Sequence, residues 1–335
     1  MRLRYLTLLF LAVPAFAQTA PEPPRPQARV DLGPTWTLRT ENDKFSTVPG
    51  GTDHYYTAGN EITVMSGPGN VPQAASDFAQ FLYGQGLTWL GFTVAQELYT
   101  PTDITLIHPD PKDRPYASYL ATTATLVQDV GDTRNVLAAS LGVIGPLAGG
   151  RLVQNGFHAV IGANPAHGYA SQLPNEPAVE LTVTRIWRDR LATLGPAETD
   201  LLPAVAIGVG TVRDYARIGA RLRIGHGLDR DFGPSRITDG PTGTDAYLPG
   251  DDLAYYGFVG ASGQAIARDG FLDGDLFSQS RHVTRRSLMG EFEGGFAVIY
   301  HGTRISYTHT WQTDAFQGQK KGLFNYGSIA ASVRF

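Results

Sequence analysis

From Arg29 onward, apolar and polar residues alternate with a period of two, in stretches separated by turn-forming residues. Leu137, Ala139, Leu141 and Val143 oppose Ala138, Ser140 and Gly142. Val179, Leu181 and Val183 oppose Glu180, Thr182 and Thr184, and Ile218, Ala220, Leu222 and Ile224 oppose Arg221 and Arg223. Successive side chains of an extended backbone point to opposite faces, so these stretches read as two-faced strands. The pattern predicts strands at 30–42, 57–66, 88–98, 116–128, 135–144, 177–188, 203–213, 216–225, 253–265, 289–300, 303–312 and 323–335. An even set of about twelve strands suits an all-β fold, a closed antiparallel transmembrane β-barrel. A soluble β-sandwich carries the same alternation.

Three features favour the barrel. Arg2 and Arg4, the apolar run Tyr5 to Val13 and the small residues Ala15 and Ala17 form an export signal over 1–17. A Pro-rich extended lead-in, 18–29, separates it from the barrel at 30–335. Trp36, Tyr55, Tyr56, Tyr99, Tyr116, Trp187, Tyr300 and Trp311 lie near strand ends, where an interfacial aromatic girdle is expected. The last strand alternates through Ile329, Ala331 and Val333 to the terminal Phe335, the usual ending of an outer-membrane barrel. Closure also removes an exposed sheet edge.

Composition narrows the chemistry. The chain contains no cysteine, which excludes disulfides, a thiol nucleophile and thiolate metal sites. Loss of Arg2 and Arg4 with the signal takes the formal charge from −4 to −6, so nothing favours nucleic acid. No sequence feature points to a protein partner. G-x-S-x-G, H-E-x-x-H and phosphate-loop motifs are all absent.

With a periplasmic N-terminus, strand parity puts the connections 43–56, 99–115 and 145–176 on the outer face. The connection 226–252 then falls on the periplasmic side, where turns are short, which puts the strand limits there in doubt. In the third outer connection, Gly145-Pro146 and Gly149-Gly150 end a strand and a short helix follows. Gln154 and His158 share one face of it. Leu152, Val153, Phe157, Val160 and Ile161 form an apolar stripe expected to pin the helix to the protein.

Asn42, Asp43, Asp53 and the Thr57 hydroxyl are hard oxygen groups suited to Ca²⁺ or to fixing a water, although turn chemistry explains the same residues. Asp269, Asp273 and Asp275 lack the EF-hand spacing and read as a solvated loop. His226, His282, His301 and His309 have no companion motif.

The connections together resemble the outer-membrane lipid A 3′-O-deacylase family. The matching pieces are E-N-D at 41–43, T-D-H-Y-Y-T-A-G at 52–59, Q-E-L-Y-T-P at 96–101, D-R-P-Y-A-S at 113–118, G-V-I-G-P-L-A-G-G at 142–150, V-Q-N-G-F-H at 153–158, I-G-A at 161–163, Q-L-P-N-E at 172–176 and the terminal A-S-V-R-F. The resemblance implies a twelve-stranded outer-membrane barrel that removes the 3′-linked acyloxyacyl group of lipid A with the help of Ca²⁺. It implies His158 as general base, with Asn42, Asp43 and Thr57 on the cation and oxyanion side; Gln154, on the helix face of His158, is a supporting candidate. Where the family has an acidic residue six positions after the histidine, this chain has Asn164, which leaves Glu176 as a candidate to orient the base. A family lysine after the Y-[ST]-P turn is missing between Thr102 and His108, which leaves Lys112 or Arg114 for the lipid phosphate. An outer-membrane phospholipase and a non-catalytic structural barrel are the alternatives.

Overall fold

Side-chain alternation sorts each strand into an inward and an outward set, and the computed structural model closes those strands into a ring. It describes residues 33–46, 53–238, 243–320 and 322–334; the expected export signal, the expected lead-in and Phe335 lie outside them. The strands are β1 (Thr35–Asn42), β2 (Tyr55–Met65), β3 (Leu87–Thr100), β4 (Ala117–Val130), β5 (Thr133–Ile144), β6 (Glu176–Trp187), β7 (Asp189–Leu194), β8 (Ala197–Gly210), β9 (Arg213–His226), β10 (Ala254–Asp269), β11 (Leu288–Tyr300), β12 (Thr303–Gln312) and β13 (Phe324–Arg334). All neighbours pair antiparallel. β1 pairs with β13 and β6 with β8, which closes a barrel of twelve strands. The short β7 pairs only with β8 among the described residues and continues the path of β6 beyond a break at Arg188.

The alternation sorts as expected. Thr93, Ala95, Tyr119, Ala121, Thr123, Thr125, Ala138 and Ser140 line the interior. Phe92, Val94, Leu141, Val179, Ile218, Leu222 and Ile224 are exposed on the outside. The aromatic girdle needs correcting. Trp36 and Tyr300 are exposed, but Tyr55, Tyr56, Tyr99 and Tyr116 are buried. Register turns Tyr56 and Tyr99 inward, where they pack with Phe271 and Tyr326.

The connection after β9 also departs from expectation. The strand limits hold, and the described residues of the long connection, 227–238 and 243–253, fold into the lumen as a plug. The reason is charge: the inward positions of the surrounding strands are rich in arginines and carboxylates that need partners. Arg223 meets Asp231 at 2.7 Å, Arg304 meets Asp245 at 2.9 Å and Arg236 meets Glu291 at 2.8 Å. Arg39 pairs with both Glu61 and Asp245. Asp231 also takes Arg304 at 3.3 Å and the Tyr256 hydroxyl at 2.7 Å. Asp231→Ala should therefore take one carboxylate from Arg304, which keeps Asp245, and one from Arg223, which keeps Asp200 at 2.5 Å, and cost about 1.5–3 kcal/mol. The readout is the temperature at which the barrel loses its heat-modifiable gel shift, and an unchanged temperature would show that the plug is held by other contacts.

A helix that the strand alternation does not predict, α1 (Gln73–Tyr83), lies between β2 and β3. The anticipated one, α2 (Gly150–Ile161), follows β5. A third, α3 (Gly270–Asp273), follows β10. Asp269, Asp273 and Asp275 are not an idle solvated loop. Asp269 caps α3 by accepting from Phe271 N at 2.9 Å, Asp273 pairs with Arg285, and Asp275 accepts from Phe277 N.

Candidate active site

Asp43, Asp53, Thr57 and His158 come together on the outside of the barrel wall, beside α2. In β1 the buried Arg39 and Glu41 point inward, and Asn42 takes the opposite face. In β2 the register shifts between Tyr56, which faces Tyr99, and Ala58, which faces Leu98. Thr57 is the extra residue of this bulge, which re-aims a side chain as bulges do. Tyr56 donates to the inward Glu41 Oε2 at 2.9 Å, whereas Thr57 Oγ1 meets the outward Thr100 Oγ1 at 2.7 Å. Thr100 spends its proton on the Asp53 carbonyl at 2.8 Å. Thr57 must then donate to Thr100, and its lone pairs stay free for an electrophile.

α2 lies across outward positions of β3 and β4. Gly150 leaves no room for a Cβ against Ser118 and Leu98, and Gln96 Nε2 donates to Ala148 O at 2.6 Å. The expected anchoring stripe is inverted. Gly150, Gln154 and His158 form the buried face, while Leu152, Val153, Phe157, Val160 and Ile161 are exposed, Leu152 and Val160 by about four-fifths. Close backbone packing at a glycine holds this helix, and its apolar stripe is free to meet a membrane.

His158 is buried, with Nδ1 2.6 Å from the Asn164 carbonyl and Nε2 3.2 Å from Asp53 Oδ1. A carbonyl only accepts, so Nδ1 carries a proton and Nε2 is the nitrogen turned towards the carboxylates. One turn earlier, Gln154 Oε1 accepts from Tyr169 at 2.7 Å, and its buried Nε2 has no partner among the described residues.

Asp43 opens a short 3₁₀ turn, Asp43–Phe45, capped by Asn42 Oδ1 accepting from Lys44 N at 2.8 Å. The Asp43 Oδ2 accepts from His54 N at 3.2 Å, while its buried Oδ1 has no hydrogen-bond partner among the described residues. Burial, and then the charge of Asp53, push the Asp43 carboxyl from 3.8 up to about 7. Two crowded carboxylates, one with an orphaned oxygen, form a site short of positive charge. Among the described residues no three His, Cys, Asp or Glu side chains converge as metal ligands. The donors available are Asp43, Asn42 and Thr57, all oxygens, and this set fits a hard cation.

Other expected residues stand apart. Glu176, the first residue of β6, accepts from Leu276 N at 3.2 Å, whereas the carboxylate on the imidazole is that of Asp53. Arg114 lies inside the barrel, its guanidinium 4.2 Å over the inward Tyr99 ring, so the wall separates it from His158. Lys112 is exposed in a turn where its backbone N–H donates to Asp110 at 2.9 Å. Asp53 is visible in T-D-H-Y-Y-T as an oxygen donor, but its contact with His158 spans 105 positions and has no local signature.

The fold and the position of this site on the outer wall define an outer-membrane β-barrel with a polar cluster held between barrel wall and helix. The sequence model of the family described as Outer membrane protein LpxR matches residues 5–335, and the chain belongs to that family. The structure is similar to LpxR from Salmonella typhimurium, with a TM-score of 0.73 at 20% identity over 90% of this chain and 100% of that one. The β domain of the Bordetella autotransporter BrkA aligns over 91% of this chain and 99% of that one at 11% identity, with a TM-score of 0.40. No curated protein sequence matches the chain.

Proposed function

We propose that the protein is a lipid A esterase that removes the 3′-linked acyloxyacyl group by water attack. The observation that carries this reading is the pairing on α2 of a buried His158, fixed by the Asn164 carbonyl and facing Asp53, with an apolar face turned away from the wall. A site on the outer wall beside such a face suits an amphiphile held in the outer leaflet, where lipopolysaccharide resides. Family membership and the resemblance of the connecting segments support the substrate class.

In the reaction, His158 Nε2 takes a proton from water as the water oxygen bonds to the ester carbonyl carbon. Collapse of the tetrahedral adduct breaks the bond to the sugar oxygen. The imidazolium returns its proton to that oxygen, giving a free acid and a sugar hydroxyl. Asp53 stabilises the imidazolium at Nε2, the Asn164 carbonyl keeps the ring in register, and Gln154 Nε2 is an unspent donor on the same helix face. A Ca²⁺-type cation held by Asp43, Asn42 and Thr57 would supply polarisation of the carbonyl and stabilisation of its developing negative charge.

Mass spectrometry of lipid A from cells expressing the protein tests the reading. Loss of the 3′ acyloxyacyl mass is expected. Unchanged lipid A despite outer-membrane insertion, with fatty acid released from phospholipid vesicles, would make it a phospholipase; no turnover of either lipid would leave a structural barrel.

A further inference from the structure

The two longer helices lie on the same strands at opposite ends of the barrel, and only α2 belongs to the candidate site. α1 packs on the outside of the wall. Thr88 and Gln128 occupy outward positions of β3 and β4, yet both are buried. Thr88 Oγ1 donates to Gln128 Oε1 at 2.5 Å, and Gln128 Nε2 donates to the carbonyl of Gly84, which ends α1, at 2.9 Å. The helix thus caps polar outward positions at the periplasmic end.

At about 100° per residue, α1 divides into three faces. Ala79 is fully buried and meets the wall. Ala74, Phe78, Phe81 and Leu82, spaced i, i+4, i+7 and i+8, make a continuous exposed apolar stripe, with Phe81 83% exposed. Between the two lie Gln73, Asp77 and Gln80; Gln73 donates to Asp77 at 2.8 Å and Gln80 to Ser76 at 3.0 Å. Wall, oil and water each have a face. Tyr83, at the helix end, lies within electrostatic reach of Arg185 on β6, whose guanidinium is 5.5 Å from the Trp187 ring. An arginine beside Trp and Tyr is the side-chain set of a membrane–water boundary.

We infer that α1 is an interfacial helix seated in the periplasmic leaflet of the outer membrane, its stripe covered by phospholipid acyl chains. The occupant follows from continuity: the helix stands on the outward face of β3 and β4, the same face on which β3 exposes Phe92 and Val94, and its end lies near Arg185 and Trp187. An amphipathic helix so placed buries its apolar face at the boundary between headgroups and acyl chains.

The absence of cysteine makes the test direct. Nitroxide labels at Phe81→Cys, Leu82→Cys and Asp77→Cys, with Val94→Cys as the lipid reference, are compared in the full chain reconstituted into phospholipid bilayers. Collision with oxygen, which concentrates in lipid, is set against collision with a water-soluble nickel chelate. The oxygen-to-nickel ratio at 81 and 82 should approach that at 94 and exceed that at 77 several-fold. Ratios at 81 and 82 equal to that at 77 would overturn the inference. If one labelled variant fails to assemble, the other stripe position decides.

Discussion

His158→Ala should abolish acyl release while the barrel stays assembled. Removing a positioned general base costs about 10²–10⁴ in rate. Here the imidazole is also the group that links α2 to Asp53, so nothing nearby replaces it. Assembly should survive because the seat of α2 on the wall is at its other end, where Gly150 approaches Ser118 and Gln96 holds Ala148. A companion variant separates orientation from side-chain identity. Asn164 contributes its main-chain carbonyl, so Asn164→Ala should retain activity, whereas Asp53→Asn should lose much of it. The measurement is acyl loss per assembled protein, with assembly scored by heat-modifiable migration. Full activity of His158→Ala would remove the histidine from the mechanism, and collapse of Asn164→Ala would show that the side chain, not the carbonyl, is what matters.

Most of the barrel is legible in the chain because strand alternation is local. Each of the twelve expected strands overlaps an observed one, from β1 at Thr35–Asn42 to β13 at Phe324–Arg334. What escaped depends on partners far away in sequence. The plug is foreshadowed by Arg221 and Arg223 on inward positions, but only closure brings Asp231, Asp245 and Arg304 together. The apolar stripe of α2 predicts the opposite orientation, because such a stripe usually marks the buried face. On a lipid-facing wall that rule reverses, and the polar Gln154 and His158 face is the one covered. The site was half legible. Asn42, Asp43, Thr57 and His158 fall on one side of the wall, but the bulge that turns Thr57 outward and the contact between Asp53 and His158 have no short-range signature. Arg114 sits in a motif shared with the resembling family, and register nevertheless carries its guanidinium over the inward Tyr99.

Asp43→Asn should abolish activity as well, and in this case it should make the cation-free barrel more stable at neutral to alkaline pH. Activity falls because, in the proposed mechanism, the Asp43 carboxylate would be the main anionic donor to the cation, and losing such charge stabilisation costs about 10²–10³ in rate. Stability rises because burial and Asp53 hold the Asp43 carboxyl up at about 7, against 3.8 when unfolded. Below 3.8 both states keep the proton. Between 3.8 and 7 the folded state keeps a proton that the unfolded state has released, so stability falls with rising pH by about 1.4 kcal/mol per unit. Above 7 the penalty is complete and constant. In chelator, the unfolding temperature of the wild type should therefore drop between pH 5 and pH 7, and Asp43→Asn should flatten that slope. Added Ca²⁺ should restore the wild type at pH 8 and leave the variant unmoved, since binding only to the folded state stabilises it. A slope as steep in Asp43→Asn as in the wild type would remove Asp43 as a source of the pH dependence, and an equal Ca²⁺ response in both proteins would place the cation elsewhere.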